Sequence, residues 1–154
     1  MSRVPVLAIV GLMLAACGDS ILEPELELEL ALEPEVTSFV TLMNAHRTQV
    51  GCAPLEWNVD VAEVATAHSA DMIDRDFFAH TNPDGQSPFD RMTAAGISYS
   101  YAAENIAWGY PTGEAVLDAW LNSPGHRANI ENCSLAQHGV GLVGTHWTHL
   151  FRTP

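Results

Sequence analysis

Apolar residues at Val36, Phe39, Val40, Leu42 and Met43 recur at helical spacing and predict a helix over Glu35–Val50, stopped by Gly51. Leu55-Glu56-Trp57 reads as a short extended link. Asn58 or Asp60 can cap a second helix reaching about Arg75, with Val61, Val64, Ala65, His68 and Met72 on one face. Phe77 to Pro88 reads as a loop, with strong turn chemistry in Asn82-Pro83-Asp84-Gly85. Ser87 as N-cap and Pro88 at N1 open a third helix that ends before Gly96. Ser98 to Asn105 predicts a strand, Gly113 to Leu121 a short helix, and Ser123-Pro124 the start of another. Gly139–Val143 and Thr145–Phe151 read as two strands turning at Gly144. Helices precede a small antiparallel sheet, and no strand–helix–strand crossover repeats. The order predicts an α+β domain, an α-β-α sandwich rather than a doubly wound sheet.

A different pattern occupies the start of the chain. Arg3 supplies a positive charge, Val4 to Leu14 is an apolar run broken by Pro5 and Gly11, and Ala15-Ala16 are small. That run is shorter than the roughly 20 residues a spanning helix needs, so residues 1–16 read as a cleaved export signal. Leu14-Ala15-Ala16-Cys17 resembles the bacterial lipobox, in which the cysteine is acylated and becomes the first mature residue. An ordinary signal with a chance cysteine is the alternative. Several acyl chains would anchor the chain firmly to a membrane, at about 0.8 kcal/mol per buried CH₂.

The net charge of −13 is unevenly spread. Asp19, Glu23, Glu25, Glu27, Glu29, Glu33 and Glu35 stand in a stretch without a basic residue, and Pro24 and Pro34 bracket its Glu-Leu alternation. Period-two alternation could form a strand. Like charges and prolines instead favour an extended spacer after Cys17 that ends at residue 35 and holds a domain, 36–154, off the membrane. The domain keeps twelve acids against five Arg, and the chain has no Lys, which excludes a nucleic-acid partner. With Cys17 assigned to lipid, Cys52 and Cys133 remain, and two such cysteines in an exported protein most often pair. Free thiols or a metal site are the alternatives.

Seven His is many for 154 residues. His46 and His68 fall within helices and read as core-edge or surface residues; His138, His146 and His149 lie near the last strands and read as structural. Two others stand apart. His80 lies where a helix gives way to a loop, and His126 falls at N3 of the helix opened by Ser123-Pro124. The positive end of the helix dipole there favours neutral imidazole, the form that ligates metal or accepts a proton. Glu104, flanked by small apolar residues after an apparent strand, is the third candidate, because carboxylates are rarely buried unpaired. Two neutral His and a carboxylate converging on a cleft would fit a divalent cation such as Zn²⁺, with one position open to water. Their spacings match no local zinc motif.

Phe78-Ala79-His80-Thr81-Asn82-Pro83-Asp84-Gly85, Ala103-Glu104-Asn105-Ile106-Ala107, and Ala119-Trp120 with Ser123-Pro124-Gly125-His126-Arg127-Ala128-Asn129-Ile130 resemble successive signatures of the CAP superfamily. That superfamily comprises cysteine-rich secretory proteins, antigen 5 and pathogenesis-related proteins, also called SCP-like extracellular domains. His138-Gly139-Val140-Gly141 and His146-Trp147-Thr148-His149-Leu150-Phe151 resemble its last two strands, so the likeness covers about residues 37–152. The resemblance implies an α-β-α sandwich with a cleft lined by two His and two acids. His80, Glu104 and His126 match three of these; the fourth position holds Ser123 instead of Glu, as in the bacterial branch. Ser123 can line the cleft, although an N-cap role already accounts for it.

Three functional classes follow. The domain is a binding module for a lipid, glycan or protein ligand, or a metal-dependent hydrolase (protease or esterase), or a structural envelope protein. No nucleophile with an orienting base and third group is visible, and with Glu104 as a ligand no general base remains, which favours binding over catalysis.

Overall fold

The computed structural model describes residues 33–154; the signal expected at 1–16, the lipidation expected at Cys17 and the expected spacer up to residue 32 lie outside the described residues. Helix α1 spans Pro34–Gln49, β1 Glu56–Trp57, α2 Val59–Asp74, α3 Pro88–Ala94 and β2 Tyr101–Trp108. Then come α4 Gly113–Leu121, α5 Pro124–Ile130, β3 Gln137–Val143 and β4 His146–Thr153. Among the described residues no helix is long and apolar enough to cross a membrane.

Most helix boundaries fall where local chemistry puts them. Asn58 caps α2 by accepting from the Val61 amide, and Ser87 and Asp90 form a reciprocal capping box on α3. Helix α1 starts slightly earlier than expected, with Pro34 in its first turn. Glu35 therefore belongs to the domain rather than the spacer, and its carboxylate accepts from the Gly113 amide at the start of α4, 2.9 Å away.

The sheet order is β1-β3-β4-β2. Strands β3, β4 and β2 are antiparallel, as expected, whereas the two-residue β1 pairs parallel with β3, so the sheet is mixed. Strand β2 lies three residues further along than its sequence pattern predicts. Full pairing with β4, from Tyr101↔Thr153 to Trp108↔His146, fixes it there, and Glu104 sits near the middle of the strand.

One sheet face packs on α1 and α4 through Phe39, Met43, Val116, Trp120, Trp147 and Phe151. The other packs on α2 and α3 through Val61, Ala65, Met92 and Leu150. These are the two helical layers of the sandwich. Gly139 and Gly141 let β3 approach α2 closely, because a Cβ at either would collide with the backbone of Val61–Ala62 or Ala65–Thr66.

Cys52 and Cys133 are disulfide-bonded, with Cα atoms 4.9 Å apart and a separation of 81 positions in sequence. Beside that bond the fully buried Arg47 donates to the carbonyls of Ala53, Ile130, Asn132 and Leu135 at 2.6–3.3 Å. Four carbonyl dipoles thus solvate a cation inside the core, and they tie the end of α1 to the segment after α5.

Candidate functional site

The pleat of β2 sends consecutive side chains to opposite faces, and Glu104-Asn105 uses both. Glu104, its side chain only 2% exposed, turns toward the α2–α3 side. There one carboxylate oxygen lies 2.8 Å from His80 Nδ1 and the other accepts from Arg91 Nη2 at 2.6 Å. Arg91 also donates to the carbonyls of His80 and Gln86, at 2.8 and 3.1 Å. His68 holds the preceding peptide through a bond of 3.0 Å between its Nε2 and the Ala79 carbonyl. The loop is therefore gripped on both sides of His80, while the His80 ring itself remains half exposed.

Asn105 reaches the other way. It donates to the His126 carbonyl at 3.1 Å and accepts from Asn129 at 2.8 Å, fastening the short helix α5 against β2. His126 lines a cleft of about 330 Å³ together with Phe78, Trp108, Tyr110, Trp120 and Ser123. Its pKa is lowered, chiefly by burial and then by the charge of His80. These causes supply the neutral form that the sequence attributed to the helix dipole.

His80 and Glu104 are in direct contact, and His126 is near enough to His80 to respond to its charge. Ser123 stands at the N-cap of α5 but makes no side-chain cap bond, so capping does not account for it; its place is in the cleft wall. The donor set does not fit a cation as arranged. Both Glu104 oxygens are engaged, one by a guanidinium, and among the described residues no three His, Cys, Asp or Glu side chains are grouped to hold a metal ion.

Arg91 and His68 escaped sequence reasoning, and the signal for Arg91 was there to use. A buried carboxylate needs a partner, and the domain offers five Arg and no Lys to supply one. His68 is buried rather than at an edge, and burial is the main reason its pKa is lowered, ahead of the nearby Arg91 charge. His138 and His149 are also fully buried, their rings hydrogen-bonded at 3.0 Å beneath Trp57, Phe39 and Trp120.

Two helical layers on a small sheet, with a histidine-lined cleft beside its outer strand, define an α-β-α sandwich domain of the secretory type. The chain belongs to the cysteine-rich secretory protein family, CAP, whose family model matches residues 40–148. It is 46% identical over 114 residues to the uncharacterized protein YkwD of Bacillus subtilis, covering 73% of this chain and 44% of that protein. Over 110 residues it is 38% identical to the uncharacterized membrane protein YlbC of the same organism, covering 71% and 32%. The chain thus spans less than half the length of these curated relatives.

Among solved structures, an extracellular protein of Bacillus anthracis containing an SCP domain superposes with a TM-score of 0.75 at 34% identity, covering 77% of this chain and 40% of that one. An outer surface protein of Borrelia burgdorferi shares the fold at 21% identity, with a TM-score of 0.74 and coverage of 79% and 93%.

Proposed function

We propose that this chain is an exported, lipid-anchored binding module. Cys17 carries the membrane anchor, and the cleft beside His80 and His126 receives a lipid, glycan or protein ligand outside the cytoplasm. The observation that carries the reading is the engagement of Glu104. With one oxygen on His80 and the other on Arg91, it fixes the loop two residues from the cleft-lining Phe78 and is not free to act as a base. The open, aromatic wall formed by Phe78, Trp108 and Trp120 suits recognition, and His126 and Ser123 add polar contacts. The similar Bacillus anthracis protein, an extracellular one, agrees with export.

The purified protein is screened against lipid and glycan panels and for turnover of peptides and esters. A retained ligand whose affinity falls at least tenfold in His126→Ala and in the cleft-filling Ser123→Trp supports the reading. Hydrolysis abolished by Glu104→Gln overturns it in favour of the hydrolase. Anchoring is tested separately by radiolabelled palmitate incorporation, expected in the wild type and lost in Cys17→Ser.

The cation reading requires Arg91 to leave Glu104. Zn²⁺ is therefore expected to raise the Tm of a folded Arg91→Ala variant more than that of the wild type. No shift in either removes the cation.

A further inference from the structure

Trp108 ends β2 with its indole 62% exposed. His146, its register partner on β4, covers one face of that ring, the two stacked at 5.5 Å and 16° apart. Phe78, 47% exposed, stands beside Trp108, and the two form a ridge shared by the cleft and a second hollow of about 390 Å³. That hollow, which His146 also lines, runs from the ridge past Phe77 and Ile73 to Asp76. Exposed aromatic faces held flat by a neighbour are a common mark of a binding surface.

Asp76 is an unfavourable choice where it stands. It follows Arg75, the C-cap of α2, and is the only non-glycine residue with positive φ among the described residues, at 52°. Glycine or asparagine is the usual occupant of this position, and a carboxylate at a helix C-terminus also faces the negative end of the dipole. No cation among the described residues offsets these costs. Among the described residues no hydrogen bond or ion pair reaches the Asp76 side chain. The adjacent Arg75 is taken by Asp71 at 2.6 Å and Asp84 at 2.8 Å, so that trio is itself left with one negative charge.

We infer that the hollow bounded by Trp108, Phe78 and Asp76 receives a Lys or Arg side chain from a basic peptide segment, packed against the aromatic ridge with its charged head on the Asp76 carboxylate. Cation–π contact and a charge-assisted hydrogen bond act on the same group. With Glu35 included, the domain's thirteen acids against five Arg steer a cation toward it. An acyl chain would leave the Asp76 carboxylate desolvated and unpaired. This second hollow is distinct from the cleft, and substitutions at Asp76 test it alone.

The experiment is a fluorescence-anisotropy titration of the protein with labelled tetralysine, with maltotetraose as neutral competitor. Binding is expected to weaken at least tenfold in Asp76→Asn and in Trp108→Ala, and to weaken as salt rises from about 50 to 300 mM. Asp76→Gly separates function from structure: glycine accepts the positive φ, so its Tm should rise while binding falls at least tenfold. Absent tetralysine binding, or affinity unchanged in both Asp76 variants, overturns the inference. Displacement by maltotetraose equal to that by unlabelled tetralysine also overturns it, assigning the platform to sugars.

Discussion

Removing Arg91 would leave the Glu104 carboxylate inside a wall where its side chain is only 2% exposed. A buried charge without its partner is costly, whereas two apolar residues in place of the pair can be nearly neutral. Arg91→Met should therefore cost about 3 kcal/mol, and the double variant with Glu104→Leu should recover most of it, read from urea midpoints. Ser123 makes a quieter contrast. Because Ser87 closes a capping box and Ser123 closes none, Ser87→Ala should cost about 1 kcal/mol and Ser123→Ala less than about 0.5. Equal losses would return Ser123 to the role of a cap. At this scale the sequence displays which residues are unusual but not what they touch. His80, Glu104 and His126 stand out from their surroundings, yet Arg91 reaches Glu104 only because the fold sets α3 against β2.

Strands β3 and β4 explain why the core histidines are hard to read singly. His138 and His149 meet on the diagonal of an antiparallel register in which His138 faces Phe151 and Val140 faces His149. A one-residue change of register would part them, and sequence spacing does not report register. The helices were more legible, since Asn58, Ser87-Pro88 and Gly96 mark their own boundaries through local bonds and backbone preference. Strand β2 was displaced in the reading because its limits depend on the length of β4. The contact of β3 with α2 gives a test at the same scale. Gly141→Ala forces a methyl against the Thr66 backbone, which cannot swing away like a side chain, so a loss of about 3 kcal/mol in denaturant unfolding is expected.

For the whole molecule, the buried imidazoles set the response to acid. Burial, followed by the Arg47 charge, pushes the His138 pKa down to about 3. His149 is also held well below its ordinary value, by burial and then by His138 and Arg47. In the unfolded chain both would take a proton near pH 6.5, so below that pH the unfolded state binds more protons. Stability is therefore full above about pH 6.5 and declines as pH falls toward 3. Both histidines come to oppose folding as the pH falls, so urea midpoints should drop clearly between pH 7.5 and pH 5. A midpoint that holds steady or rises would refute the neutral pair. Reduction of the Cys52–Cys133 bond, which spans 81 residues, should cost roughly 4 kcal/mol more at any pH, seen as a lower Tm in reductant.

The strand order also sets a clock. The last strand of the domain, β4, lies between β3 and β2, so the sheet has no centre until residue 153 has been made. Strand β2 is finished at residue 108 and then waits for its partner while 45 more residues are added, roughly 2–9 s at ordinary rates of synthesis. Both helical layers pack on the sheet that β4 completes, so the two faces of the core close together once that strand is in place.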